Sequence, residues 1–314
     1  MRLATLNVDG KARLGWVSDR WVVDVPTLAE RIWGERQTEY RTVLNLGLDM
    51  ILKADGVPLL REALHALDKA VGGLEYVHVR FPDLAYPRED APLLQPILAP
   101  SKIIAIGLNY RDHCEEQNVS PPERPTVFAK FPSSLLRPGG VIQWSPQLTQ
   151  QVDYEAELAV IIGRVAKNVR AHEAYYYVFG YTAANDVSAR DLQRSDKQWV
   201  RAKSLDTFCP LGPWIVTQDE IGDPMNLSVR CRVNGELRQN GHTSGMIFDV
   251  PYLIEFLSQA FTLLPGDIIL TGTPAGVGIF RDPPLLLQDG DSVTVEIERI
   301  GQLTNTCKVL DGSQ

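Results

Sequence analysis

The sequence predicts an α+β protein that is mainly β, with a small α+β amino-terminal unit (residues 1–90) and a larger strand-rich domain (residues 91–314). Three observations carry this prediction. Past Ala91 the chain runs through short apolar, β-branched segments at 102–106, 126–130, 154–162, 214–217, 227–233, 267–270 and 292–297, each bounded by Gly or Pro. Residues 2–25 alternate across the tight turns Asp9-Gly10 and Ser18-Asp19, which reads as a meander. Between these parts, Pro82, Pro87, Pro92, Pro96 and Pro100 interrupt any regular element and mark an extended connector.

Within the first unit, Pro26-Thr27 opens a helical pattern that runs to Trp33. A second begins after Asp55-Gly56-Val57-Pro58, where Leu59, Leu60, Leu64, Leu67 and Val71 recur at helical spacing. Few helical patterns interrupt the larger domain, and no internal repeat is visible.

Composition narrows the function. A chain of 314 residues, 44% hydrophobic and 22% charged, can bury a substantial core. Its net charge of -8, without a basic run, argues against nucleic acid and anionic membranes as partners, so a small molecule is the expected ligand. Cys114, Cys209, Cys231 and Cys307 are scattered, without a C-x-x-C pair or a secretory signal before them, so a reducing cytoplasm is the expected compartment. No apolar run is long enough to span a bilayer.

The chemistry concentrates in a few segments. In Asp153-Tyr154-Glu155-Ala156-Glu157, strand alternation sends the three acids to one face. Like charges that close are unfavourable in an apolar setting unless a hard, oxygen-bound cation neutralises them, although a solvated strand end is the plainer reading of this motif alone. Asp186 closes a strand-like run after 175–181 and can supply a third carboxylate. Upstream, Asn109-Tyr110-Arg111-Asp112-His113-Cys114-Glu115-Glu116 reads as the start of a short helix. His113 and Glu116 share its face, so that the carboxylate can hold the imidazole in its basic tautomer. The 271–278 loop is Gly-rich but lacks the Gly-Lys-Ser/Thr ending of a phosphate loop, and the spread cysteines do not suit zinc. Cys114 reads as a packing residue, and His65, His78, His172 and His242 have no partner pattern.

In this order and spacing, these segments closely resemble the fumarylacetoacetate hydrolase family over roughly residues 96–310. The blocks 100–107, 246–250 and 264–274 (Leu264-Pro265-Gly266-Asp267-Ile268-Ile269-Leu270-Thr271-Gly272-Thr273-Pro274) carry the likeness further. The resemblance implies a mixed β-sandwich or roll, in the acylpyruvate hydrolase and oxaloacetate decarboxylase-like branch. It makes Glu155, Glu157 and Asp186 the ligands of one Mg²⁺ or Mn²⁺ per subunit. His113, oriented by Glu116, becomes the base, and Lys203 with Gln193 steadies an oxyanion. Tyr110, Lys130, Arg190, Gln193 and Thr273 take positions that contact substrate. The animal enzyme that names the family has a further metal-binding aspartate where this chain has Asn109-Tyr110, which points away from fumarylacetoacetate itself.

The activity implied is metal-dependent C–C hydrolysis of a 1,3-dicarbonyl acid of the acylpyruvate or fumarylpyruvate type. Oxaloacetate decarboxylation and 2-hydroxydienoate tautomerisation are alternatives at the same site, and a non-catalytic metal-binding member is the rival. A homodimer is expected, with Trp144, Trp199 and Tyr175-Tyr176-Tyr177 as spare aromatic surface. Residues 112–125 are expected to form a lid.

Overall fold

The computed structural model describes residues 1–311, in which a twelve-stranded sheet crosses the expected boundary between residues 90 and 91. From one edge its strands are Ala85–Pro87, Trp21–Asp24, Lys11–Val17, Arg2–Val8, Cys209–Thr217, Val178–Asn185, Ala156–Ile162, Ile268–Leu270, Ile103–Gly107 and Thr126–Lys130. Two short strands, Leu93–Leu94 and Leu135–Leu136, pair at its side. The amino-terminal meander is present as read. Its first strand adds antiparallel to Cys209–Thr217, with Arg2 opposite Val216, so both expected units share one sheet.

On one face lie the helices of the first unit, with Leu28, Leu60, Leu64 and Leu67 buried against Leu3, Val23, Ile161, Ile215 and Leu270. Helix Val25–Trp33 starts where Asp24 accepts from the Thr27 N–H, and Val57–Val71 ends at Gly72 in the left-handed conformation. Helices Thr38–Leu44, Leu48–Lys53 and Val250–Ala260 were not expected from the sequence. The other face packs on a second sheet made of Glu236–His242, Ser228–Val233, Ser292–Ile297, Gly301–Val309 and Val141–Trp144. Leu158, Val160 and Tyr181 meet Val229, Val293 and Val295 between the two sheets, giving a sandwich.

The four cysteines are free and buried. Among the described residues, no helix is long and apolar enough to cross a membrane. Trp144 is a core residue and Trp199 faces a cavity, so of the proposed spare aromatics Tyr176 is the exposed one.

Candidate active site

The acidic cluster follows from one strand register. Ala156 pairs with Asn185 and Glu157 with Ala184, so continuing the antiparallel ladder by one step sets Glu155 against Asp186. The Asp186 N–H donates to the Glu155 carbonyl at 2.9 Å, and the Asn185 side-chain oxygen accepts from the Glu155 N–H at 3.0 Å. Carboxylate oxygens of Glu155, Glu157 and Asp186 lie within 4.8 Å of one another, all buried.

Asp153 does not join them. The expected strand over 154–162 is interrupted: Val152–Asp153 and Ala156–Ile162 are separate strands, so simple alternation fails across Tyr154-Glu155. Asp153 turns instead to accept from the N–H groups of Gly278 (2.8 Å) and Ile279 (3.0 Å) and from Arg190 Nε (2.9 Å). This fastens the 271–278 loop beside the cluster.

Buried cations surround the acids. Lys203 Nζ lies 2.7 Å from both Glu155 and Asp186, Lys130 Nζ lies 2.6 Å from Asp186, and Arg190 Nη1 lies 2.7 Å from Glu155. Burial alone would raise the Glu155 pKa, but Lys203, Arg190 and His113 bring it down to about 2. Glu157 goes the other way. Burial, then Asp186 and Glu155, push its pKa well above the usual carboxylate value, against the opposing charge of Lys203 and the hydrogen bond from the Gly272 N–H at 2.7 Å. Lys203 is raised: burial works against its charge, and Asp186 and Glu155 outweigh that.

Three convergent carboxylates, one without an ion-pair partner among the described residues, make an all-oxygen donor set that suits a small, hard divalent cation. The residues therefore fit a divalent cation bound through Glu155, Glu157 and Asp186.

His113 sits on the short helix Arg111–Glu116, with Nδ1 2.6 Å from Glu116 Oε1 as expected. Glu116 Oε2 accepts from the Gly276 N–H at 2.8 Å, which ties the helix to the 271–278 loop. Gln117 was missed: its side-chain amide nitrogen lies 2.7 Å from His113 Nε2. Its spacing of four residues from His113 was the available signal. Under this helix, Asn109 bonds both the carbonyl and the N–H of Phe248 and donates to Thr271 O at 2.7 Å, so it is a joint between segments.

A cavity of about 270 Å³ gathers His113, Gln117, Glu155, Arg190, Gln193, Lys203 and Thr273 beneath a wall that includes Trp199 and Phe280. Arg190 is buried, and its Nη2 has no hydrogen-bond partner among the described residues. The Thr273 hydroxyl is committed to the strand, donating to Ala156 O at 3.0 Å and accepting from Gln239 at 2.7 Å. Two expected substrate contacts lie outside the cavity lining. Lys130 is buried behind Asp186, where it also donates to the Lys203 carbonyl, and Tyr110 is a core residue whose hydroxyl has no hydrogen-bond partner among the described residues.

A family model described as the fumarylacetoacetate (FAA) hydrolase C-terminal domain matches residues 102–308. Oxaloacetate tautomerase FAHD2A of Homo sapiens, named as mitochondrial, is 50% identical over 221 residues, 70% of each chain. That name lends no support to the cytoplasmic expectation. Fumarylacetoacetate hydrolase from psychrophilic Exiguobacterium antarcticum is 37% identical, superposes with a TM-score of 0.77, and covers 99% of this chain and 100% of its own. A 2-hydroxyhepta-2,4-diene-1,7-dioate isomerase from Mycobacterium marinum is 45% identical with a TM-score of 0.63, over 72% of this chain and 81% of its own.

Proposed function

The chain belongs to the fumarylacetoacetate hydrolase family and is an enzyme, and on that premise we propose that it moves a proton at the carbon beside the carbonyl of a 2-oxo acid, as an oxaloacetate-type tautomerase or isomerase. The observation that carries this reading is the pairing, in one cavity, of a Glu116-oriented imidazole with a buried guanidinium that has a free N–H edge. A 2-oxo acid has a carboxylate for Arg190 Nη2 and an acidic C–H at C3 for His113.

Glu116 accepts the Nδ1 proton, so Nε2 is the nitrogen that can take one. In enolisation Nε2 takes a C3 proton, the C–H electron pair becomes the C2=C3 bond, and negative charge develops on the 2-oxo oxygen. Lys203, Arg190 and the Gln193 amide line the same cavity and supply the donors that stabilise the charge. Glu155, Glu157 and Asp186 would hold Mg²⁺ or Mn²⁺, whose contribution when bound is to polarise the oxo group. Delivery of that proton from Nε2 to the 2-oxo oxygen completes the enol, and the reverse sequence, oxygen to Nε2 to C3, gives the keto acid. General-base assistance of this kind is worth about 10²–10⁴-fold.

Hydrolytic cleavage of an acylpyruvate-type 1,3-dicarbonyl acid is the second reading, supported by the family name. It needs the same residues, with His113 activating water. Decarboxylation of oxaloacetate shares the enolate.

The test supplies oxaloacetate enol to the Mg²⁺-loaded protein and follows enol absorbance alongside pyruvate release, with an acylpyruvate in a parallel assay. Accelerated enol loss without matching pyruvate is expected. Pyruvate formed as fast as enol disappears would overturn the reading in favour of decarboxylation, and tight oxalate binding with no turnover would make the protein a binding module.

A homodimer is part of the proposal. The stacked rings of Phe248, Tyr252 and Phe256, spaced 5.4 and 6.3 Å, support it as partly exposed aromatic surface. Sedimentation equilibrium giving a monomer at micromolar concentration would refute it.

A further inference from the structure

We propose that Gln117 is a positioning residue that covers Nε2 of His113 against water and so steers the site toward proton transfer at carbon and away from hydrolysis. The inference rests on the tautomerase reading and deepens it. Gln117 follows the last residue of the His113 helix and lies four positions past His113, on the same face. Its amide nitrogen lies 2.7 Å from Nε2, while Glu116 fixes Nδ1 as the donor at 2.6 Å. The imidazole is therefore held at both nitrogens, and the reactive one carries a protein N–H where a nucleophilic water would have to sit.

The surroundings reinforce the cover. Phe280 meets the His113 ring edge-on at 6.3 Å between centroids, and Phe280, Ile279 and Leu108 line the same cavity. None of these apolar groups gives a water the second and third hydrogen bonds that would fix it there. The Gln117 amide is also easily displaced. It is half-buried and makes no other hydrogen bond among the described residues, so a substrate C–H pressed into the cavity can take its place at Nε2 without breaking a network. A substrate replaces the amide when it binds, and free water does not, because it gains one hydrogen bond and loses several in bulk.

The experiment has a readout that does not depend on turnover. The Mg²⁺-loaded full-length protein and its Gln117→Ala variant are carbethoxylated with diethyl pyrocarbonate, and labelling of each histidine is followed by mass spectrometry. His113 should label at least tenfold faster in the variant, while His65, His78, His172 and His242 keep their rates as internal controls. Gln117→Met, similar in volume but without a donor, should label within about threefold of the parent protein. In parallel, the ratio of acylpyruvate cleavage to oxaloacetate-enol ketonisation should rise at least tenfold in Gln117→Ala. Unchanged His113 labelling would overturn the proposal, and so would two activities that fall in proportion. If the parent protein does not ketonise the enol, the tautomerase reading fails on that result, and the labelling still decides whether Gln117 covers Nε2.

Discussion

The carboxylate cluster reaches the cavity through Glu155 and the His113 pair through its imidazole, but the two groups are held by opposite means. Glu155 and Asp186 stand at the end of a strand ladder, clamped by Lys203, Lys130 and Arg190 inside the sheet sandwich. His113 rides on a six-residue helix whose side-chain tie to the opposite loop is Glu116 on Gly276. Charge that must stay in place is built into the sheet, where displacement breaks many bonds. The group that must pass a proton back and forth is placed where little has to break for it to move.

The largest break in that comparison should come from Glu157→Gln. Losing one of the three carboxylates removes the cation site, and activity should fall by at least about 10⁴-fold, or ~5.4 kcal/mol in the barrier. The fold should survive, because in the chelated protein the ionised Glu157 is a burden. Its folded pKa is raised above the ordinary 4.5 by burial, Asp186 and Glu155. Between those values the folded state keeps a proton that the unfolded chain has lost, so stability contributed by this group falls as pH rises, by up to about 1.4 kcal/mol per pH unit. Glu155 has the opposite sign: its pKa is depressed to about 2, so its contribution is present above 4.5 and is lost as pH falls toward 2. Urea unfolding with chelator present should therefore show a flatter pH dependence above pH 5 for Glu157→Gln than for the parent. An identical slope would remove Glu157 as its source.

Lys130→Met tests whether the sheet-borne pole depends on its buried cations. Asp186 would lose its 2.6 Å partner in a site sealed from solvent, which typically costs about 3–5 kcal/mol. Equilibrium urea unfolding measures it, and a loss under ~1 kcal/mol would show that Lys203 alone neutralises Asp186.

His113→Ala should lower enol ketonisation by about 10²–10³-fold while leaving Mg²⁺ affinity within a factor of two. Titration calorimetry with Mg²⁺ separates the two effects. Altered Mg²⁺ affinity would mean that the poles are one unit and not two.

The same contrast explains what could be read from the chain. The meander, the glutamate strand, the strand leading into Asp186 and the His113–Glu116 pair are local patterns, and periodicity exposes them. The pairing of Arg2 with Val216 joins segments more than two hundred residues apart, and nothing local announces it. Asp153 does not share a face with Glu155 and Glu157, because alternation holds only within an unbroken strand and the chain leaves the strand at Tyr154-Glu155. Lys130 illustrates a different limit. A lysine in a strand looks like a solvent or substrate contact until burial shows it behind the cluster, bound to Asp186. Gln117 is an ordinary residue at a helix end, and only the position of the imidazole gives it meaning.

The smallest effect should come from Glu116→Gln, and it sharpens the comparison most directly. The carboxylate accepts twice, from His113 Nδ1 through one oxygen and from the Gly276 N–H through the other. A Gln amide has one acceptor oxygen. If it keeps His113, it turns an NH₂ group toward the Gly276 N–H, and two donors then face each other across the joint between helix and loop. The histidine keeps its tautomer but loses the negative charge that steadies the imidazolium formed during turnover. A charge-assisted hydrogen bond exceeds its neutral counterpart by roughly 1–1.5 kcal/mol, which corresponds to about a tenfold loss in kcat. At the same time, amide hydrogen exchange at Gly276 should accelerate about tenfold, reporting the loosened joint. Full activity with unchanged exchange at Gly276 would show that the helix is fixed by Asn109 beneath it, and that the His113 pole is as rigid as the carboxylate pole.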